Sequence, residues 1–285
     1  MTKQELKNEI CRLVTEDPAG LISAQDAIYP ELAGMRLYDE PLVGFAAADD
    51  PLFTVEFKKK GVVHPDYLAP EEWLPGARTV VSYFLPFTQE VRESNRGRVD
   101  EPYEPGLPQR CSALWLHGRI EGQAFMGHIS EKLRQLMLSA GCGCVCPAIS
   151  ENFRMLEPFV SNWSERHAAY AAGLGTFSLS KGLITEKGMA GRFGSFITTA
   201  EFEPDKRPYS QPFEYCIMCG ACMARCPSGA IDAARGCIDG KDHGVCHSYV
   251  KDGWLPPHGP NRVVRYGCGK CQVAVPCERG IPGRK

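Results

Sequence analysis

Four cysteines in one short run constrain this chain more than any other feature. Cys216, Cys219, Cys222 and Cys226 are separated by two, two and three residues, and Pro227 follows the last of them. This is the C-x₂-C-x₂-C-x₃-C-P run of bacterial two-cluster ferredoxins, in which three thiolates bind one [4Fe–4S] cluster and the fourth binds its neighbour. A structural zinc site normally uses separate hooks of two cysteines. The spacing therefore predicts two iron–sulfur clusters.

The tail of the chain supplies candidates for the other four ligands. Cys268 and Cys271 form a C-x₂-C hook, Cys246 precedes it and Cys277 follows it. Cys237 is an alternative to Cys246. The crossover rule then predicts a first cysteine set and a second cysteine set, namely Cys216, Cys219, Cys222 and Cys277, and Cys226, Cys246, Cys268 and Cys271.

The remaining cysteines are read mainly as packing residues. Cys142, Cys144 and Cys146 alternate as strand residues do, and free cysteine is a common buried apolar residue. We expect them to pack in a core, with a redox pair or a third metal site as the alternative. Cys11 and Cys111 are isolated in the sequence and are predicted to be inert.

Composition limits the partners and the compartment. The 285 residues are 44% hydrophobic with a net charge of −2, which argues against global attraction to nucleic acid, tRNA included, or to an anionic membrane. The N-terminus lacks the apolar segment of a signal peptide, and no apolar stretch approaches roughly 18 residues. We therefore expect a cytoplasmic protein without membrane contact, in which 14 cysteines bind metal instead of forming disulfides.

Helix and strand patterns alternate up to about residue 205, which predicts a layered α/β or α+β domain over 1–205. From 206 to 285 the chain is rich in Cys, Pro and Gly and loses its periodicity. Charge, Pro and Gly predict a long exposed loop at 88–110. Apolar spacing predicts an opening helix from Thr2, helices from about Gln123 to Ser139 and Ser164 to Ala172, and buried strands at 42–46, 79–85, 142–146 and 192–199.

Several segments resemble the epoxyqueuosine reductases and the related reductive dehalogenases. They are the turn and strand at 74–81, the Ala-Gly-Leu-Gly turn at 172–175 with the strand start at 192–196, the cluster run at 216–231, and residues 246–249. The resemblance extends over residues 70–277 and favours Cys246 over Cys237. It implies an α+β protein, with a nitroreductase-like α/β domain at the N-terminus and a ferredoxin-like two-cluster domain at the C-terminus.

The resemblance also implies a function. The clusters would take electrons from a low-potential donor such as ferredoxin or flavodoxin and pass them to base-off cobalamin in the N-terminal domain, for reduction of a small-molecule or modified-nucleoside substrate. Backbone at Gly173, Gly175, Arg192, Gly194 and Ser195 would approach the corrin. Tight turns between elements are the alternative explanation of these glycines.

One position departs from the resemblance. Phe159 stands where those enzymes would carry an aspartate proton donor, so Glu157 and Tyr170 become the candidate catalytic residues. Glu165 and Arg166 match the resemblance and are explained as an ion-paired helix start. Because that aspartate is missing, we also keep an alternative, in which the chain is an electron-transfer protein that serves a protein partner such as a corrinoid protein needing reductive activation.

Overall fold

The computed structural model of this protein describes residues 1–97 and 110–283. Its helices are α1 Lys3–Glu16, α2 Pro70–Trp73, α3 Gln89–Ser94, α4 Ala113–Ser139, α5 Glu165–Ala171, α6 Ala221–Ala224, α7 Gly236–Asp239 and α8 His243–Asp252. Its strands are β1 Leu42–Ala47, β2 Thr79–Pro86, β3 Cys144–Val145, β4 Met155–Glu157, β5 Val160–Ser161, β6 Gly175–Phe177, β7 Leu183–Thr185, β8 Gly191–Thr198, β9 Trp254–His258 and β10 Val263–Tyr266.

The opening helix is confirmed. The Thr2 side chain accepts a hydrogen bond from the Glu5 amide, and the Glu5 carboxylate accepts one from the Thr2 amide at 2.7 Å. This reciprocal capping box satisfies two backbone donors that a helix start otherwise leaves without partners. The residues buried by α1 follow helical spacing and are Leu6, Ile10, Leu13 and Val14.

A four-stranded antiparallel sheet in the order β1-β2-β8-β3 forms the centre of the N-terminal part. Because strand side chains alternate between faces, the sheet has two apolar surfaces. Val81, Tyr83 and Phe196 face one apolar cluster, which includes α1 and α4. Val80 and Ile197 face the other, which includes α5. The N-terminal part is therefore a layered domain of mixed helix and strand, as predicted.

Helix α4 begins well before the predicted start at Gln123. The predicted start was wrong, and the missed first turns of α4 contain Gly118 and Gly122, which lower helix propensity. In the structure a Cβ at Gly118 would lie 2.8 Å from Phe87, and one at Gly122 would lie 2.3 Å from the Tyr38 hydroxyl. Close packing against these rings requires glycine and compensates for its poor propensity.

Two further boundaries differ from the predictions. Residues 89–94 of the predicted loop at 88–110 form α3, which Thr88 caps through the Val91 amide, and residues 98–109 lie outside the described part of the chain. Only Cys144 and Val145 of the predicted strand at 142–146 form ladder pairs. The short pairing follows from Pro147, which starts a 3₁₀ turn directly after it.

The cysteine-rich tail packs onto the N-terminal part through buried ion pairs. Arg96 Nη2 lies 2.7 Å from a carboxylate oxygen of Glu278, which is buried. The Arg265 guanidinium, only 1% exposed, donates to the Glu121 carboxylate. Removing one partner of such a pair leaves a buried charge without compensation, so these contacts fix the tail against the layered domain.

Among the described residues, no helix has both the length and the apolar character needed to cross a bilayer.

Candidate iron–sulfur centres

The second cysteine set surrounds a cavity of about 200 Å³ between the tail and the layered domain. Cys226, Cys246, Cys268 and Cys271 line it together with Trp115 and other residues of both parts. Burial and then the thiols of Cys271, Cys246 and Cys226 raise the pKa of Cys268 to about 12. The four sulfur atoms are therefore close enough to influence one another.

The first cysteine set surrounds a smaller cavity of about 20 Å³. Its four members, Cys216, Cys219, Cys222 and Cys277, all line it. Burial is the main cause that raises the pKa of Cys222 to about 11 and that of Cys277 to about 12, and neighbouring thiols add to it. Thiols ionise when they bind metal, and iron would remove the repulsion among four thiolates. The ligand assignment itself stays a prediction.

In each cysteine set, a glycine directly after a cysteine lets the chain turn. Gly220 follows Cys219 with φ of 72°, and Gly269 follows Cys268 with φ of 70°, a left-handed conformation that side chains oppose. A Cβ on Gly269 would also lie 2.0 Å from the Trp115 ring. Gly269 thus lets the C-x₂-C hook turn while α4 packs directly on it.

Cys237, the cysteine of the tail that belongs to neither set, lies beside the first set. Cys237 Sγ is 3.2 Å from Met218 Sδ, and after burial the Cys216 thiol is the largest cause that raises the pKa of Cys237. Cys246, in contrast, lines the second cavity. The two candidate cysteines are therefore in different places.

Cys144 and Cys146 are buried in the layered core, and Cys146 Sγ donates to the Ser130 carbonyl at 3.3 Å. Cys142 packs partly buried against the same core. Core packing, as expected from their alternation, accounts for all three.

Basic side chains surround the second cavity. Arg119, Arg192 and Lys241 line it. Arg192 Nη2 donates to the Arg119 carbonyl at 2.6 Å, and Lys241 Nζ donates to the Ser180 carbonyl at 3.0 Å. No charged side chain is among the described residues that line the first cavity. The two centres therefore have different electrostatic surroundings.

Of the five residues predicted to approach a corrin, Arg192 lines the second cavity. Gly173 has φ of 83° and lies against the backbone of Lys206. A Cβ on Gly175 would lie 2.0 Å from the Ile184 carbonyl oxygen, because β6 and β7 pack closely there. Turn conformation and chain packing thus explain these two glycines.

The other two predicted residues lie inside the sheet. A Cβ on Gly194 would lie 2.6 Å from both Tyr83 and Met126. The Ser195 hydroxyl is buried and accepts a hydrogen bond from Trp163 Nε1 at 3.0 Å. Both positions are covered by other side chains of the layered core.

The structure does not bring the predicted catalytic residues together. Glu157 is exposed on the β4–β5 hairpin, with Oε1 3.3 Å from His64 Nε2. Tyr170 is half-buried, its ring packs against Phe177 and Tyr209, and burial raises its pKa. Neither is among the residues described as lining the two cysteine cavities.

Phe159, at the tip of the same hairpin, has φ of 70° and is half exposed. Its ring contacts those of His243 and His247 on α8 at centroid distances of 5.8 and 5.2 Å. Positive φ is rare for a bulky residue, and contacts to α8 accompany it here. The position that lacks the expected aspartate therefore lies against the helix that carries Cys246.

Sequence reasoning missed one buried carboxyl group. No described donor is in hydrogen-bonding geometry with either carboxylate oxygen of Glu165, and burial raises its pKa to about 8, although Ser195 and Trp163 oppose the rise. The expected ion pair is not formed, because Arg166 donates to the Lys181 carbonyl instead. A carboxylate at the start of an alanine-rich helix was the available signal.

Comparisons with known proteins identify relatives of this chain. A family model described as 4Fe-4S binding domain matches residues 212–232. An epoxyqueuosine reductase of Salmonella typhimurium (strain LT2) is 31% identical over 234 residues, which are 74% of this chain and 50% of that protein. One from Escherichia coli (strain K12) is 34% identical over 148 residues, or 46% of this chain and 34% of that protein. The chain thus spans about half the length of the first of these relatives.

Solved structures show the same fold. A selenomethionine-labelled epoxyqueuosine reductase aligns with a TM-score of 0.53 at 17% identity, over 99% of this chain and 68% of that one. An epoxyqueuosine reductase solved with an epoxyqueuosine-modified tRNA-Tyr stem loop aligns with a TM-score of 0.51 at 18% identity, over 99% of this chain and 67% of that one. A catabolic reductive dehalogenase aligns with a TM-score of 0.52 at 15% identity, over 98% of this chain and 37% of that one. The chain is therefore similar to epoxyqueuosine reductases over most of its length and carries a 4Fe-4S binding domain.

Proposed function

We propose that this protein is an iron–sulfur reductase with two [4Fe–4S] clusters. The first cysteine set would bind one cluster and the second set the other. The observation that carries this proposal is the division of eight cysteines between two separate cavities, four around each. A cubane takes four thiolates, so the number of ligands fits at both sites.

When bound, the clusters supply one-electron transfer. The chain's own contribution is to hold them by thiolates, to position the two sets next to each other through Cys222 and Cys226, and to keep Cys222 buried and Cys271 and Cys277 partly buried. A low-potential protein such as ferredoxin or flavodoxin is the proposed electron donor. Exposed Cys219 and Ile217, which is 56% exposed, bring the first set to the surface where a donor can approach.

Cobalamin is the acceptor that the family resemblance suggests. Pockets for drug-sized ligands measure roughly 300–1,000 Å³, whereas the cavity at the second set measures about 200 Å³ and is lined by four cysteines. That cavity does not accommodate a corrin beside a cubane. Arg192 lines that cavity, and cobalamin stays a proposal that rests on the resemblance alone.

Reduction of an organic substrate requires protons as well as electrons. Glu157 and Tyr170 stay the proposed donors from the sequence, and Tyr170 packs in the same apolar cluster as Cys216 and Cys277. Glu165 joins them as a group that keeps its proton at neutral pH, because its pKa is about 8. The proposed substrate is a small molecule or a modified nucleoside. The relative solved with a tRNA stem loop keeps a tRNA substrate among the candidates.

A second candidate function is electron transfer to a protein partner. The exposed position of Cys219 and the small size of the second cavity favour it, because a carrier needs an accessible cluster but no substrate pocket. The large layered domain and its likeness to reductases favour the enzyme.

An anaerobic titration with cob(II)alamin separates the two functions. Cluster-reconstituted protein is titrated and followed by EPR, with iron and sulfide measured in the same sample. Stoichiometric conversion to the base-off signal is expected for a corrin-dependent reductase. Cobalamin that stays base-on beside fully loaded clusters would contradict it and favour the electron-transfer protein.

A further inference from the structure

The two cysteine cavities differ in the charge of the residues that line them. Arg119, Arg192 and Lys241 line the second, and no Asp or Glu is among the described residues that line it. The described lining of the first consists of cysteines, apolar residues, glycine and serines. A cluster at the second site would therefore lie among cations, and a cluster at the first would not.

The cations around the second cavity are held in place by the backbone. Arg192 is fixed by its hydrogen bond to the Arg119 carbonyl, and Lys241 by its bond to the Ser180 carbonyl. Arg192 is partly buried, and burial lowers its pKa. Lys241 and Cys271 line the same cavity, so the charge of Lys241 lies beside a member of the second set.

Lys181 lies on the side of the first set, where other groups balance it, and Lys241 also contacts that side through the carbonyl of Ser180, which lines the first cavity. Lys181 Nζ donates to the Cys237 carbonyl at 2.7 Å, and the Asp239 carboxylate is the largest influence that opposes the lowering of the Lys181 pKa. The main influences on Cys222 and Cys277 are burial and other thiols. The asymmetry between the two sites therefore persists when Lys181 is counted.

Charge of this kind changes how easily a cluster accepts an electron. Reduction adds one negative charge, and net charge, hydrogen bonds to sulfur and solvent exposure set cluster potentials. A single fixed cation about 10 Å away, in an effective dielectric of about 20, changes the equilibrium constant for adding an electron by roughly tenfold. Exposure of Cys219 to water raises the potential of the first cluster and so reduces the difference between the two clusters. It affects one ligand, however, whereas three cations line the second cavity.

We infer that the second cysteine set holds the cluster of higher reduction potential, and that Lys241 is one of the residues that raise it. This inference rests on the proposed function, since it requires both clusters. One electron leaves the reduced first cluster and one enters the oxidised second cluster, with the low-potential donor as the source. Electrons thus enter at the exposed first set and collect at the interior second set, where Arg192 and Gly191 of β8 line the cavity.

An anaerobic redox titration followed by EPR tests the inference on the cluster-loaded protein. Lys241→Gln is compared with Lys241→Arg, which keeps the charge, and with Lys251→Gln on α8, where the ammonium group lies 4.5 Å from the centroid of the Tyr266 ring. We expect Lys241→Gln to lower one of the two potentials by about 59 mV, a tenfold change in the equilibrium constant. Lys241→Arg and Lys251→Gln should leave both potentials near those of the wild type.

Assignment of the shifted signal uses a ligand variant. Cys219→Ser alters the signal of the first cluster, so the shift caused by Lys241→Gln must appear in the signal that Cys219→Ser leaves unchanged. If Lys241→Gln prevents cluster loading, Arg119→Gln replaces it with the same expected direction.

Three outcomes would overturn the inference while leaving two clusters in place. They are equal shifts of both potentials, a shift confined to the cluster that Cys219 binds, or no shift in fully loaded protein. An iron content below that of two cubanes in the wild type would instead contradict the proposed function, so the two failures are distinguishable.

Discussion

The layered domain and the cysteine-rich tail are stabilised by different physical means. The domain buries two apolar clusters, one on each face of its sheet. The apolar cluster beside the cysteines consists of four buried residues, three from the tail and Leu179 from the domain, with cysteines of both sets packed around it. Burial of apolar surface is the main favourable contribution to folding, so the domain has its own source of stability. The tail obtains its stability from metal ligation and from contacts with the domain.

Removal of iron gives the largest expected effect and acts on the tail alone. Anaerobic chelation of iron from loaded protein should expose amides throughout residues 206–283, because metal binding at such a site is coupled to folding. The strands β1, β2 and β8 should stay protected, since apolar packing holds them. Hydrogen exchange measured by mass spectrometry checks both halves of this prediction, and equal loss of protection in the sheet would contradict it.

Truncation of a core aromatic residue should destabilise the layered domain and leave iron binding by the tail unchanged. Phe196 is fully buried between the sheet and α4, and Phe→Ala changes in cores cost about 3–5 kcal/mol. Phe196→Ala should lower the free energy of unfolding of the layered domain by that amount, measured by urea denaturation followed by far-UV circular dichroism. Iron bound per folded protein should stay unchanged. Val264→Ala, at an exposed position of β10, is the matched control and should have little effect.

The buried carboxyl group of Glu165 should give a smaller effect per pH unit, which separates the burial of a polar group from the burial of an apolar one. Glu165 keeps its proton in the folded state up to a pH of about 8, whereas its ordinary pKa is 4.5. Between these values the unfolded chain binds fewer protons than the folded chain, so the free energy of unfolding falls as pH rises, by at most about 1.4 kcal/mol per pH unit. Glu165→Gln should remove this slope. Exposed Glu157→Gln should retain it, and an unchanged slope in Glu165→Gln would contradict the burial of an uncharged carboxyl group.

The sequence predicted most where chemistry demands particular residue types at particular spacings. Cysteines 216 to 226 and the hook at 268 and 271 were recognisable because cluster ligation requires thiolates at those separations. Strand β2 was recognisable because both faces of this central strand are buried, which leaves an apolar run. These signals are local, so one segment of sequence contains each of them.

Features that depend on distant contacts were not predictable. The two glycines in the first part of α4 are explained by packing against Phe87 and Tyr38. The burial of Glu165 depends on Trp163 and the sheet, and the cations of the second cavity come from α4, β8 and the tail. No local pattern distinguishes Arg119 or Arg192 from a surface arginine, because their role follows from the positions of elements far apart in the chain.

The central claim is that two separate sets of four cysteines each bind a cluster, and a set of serine variants tests it most directly. Cys219→Ser, Cys246→Ser and Cys237→Ser are reconstituted anaerobically, and iron, sulfide and the EPR spectrum of the reduced protein are compared with the wild type. The account predicts that Cys219→Ser and Cys246→Ser alter different signals, and that Cys237→Ser, beside the first set, keeps both clusters. Loss of a cluster in Cys237→Ser with full loading of Cys246→Ser would contradict it.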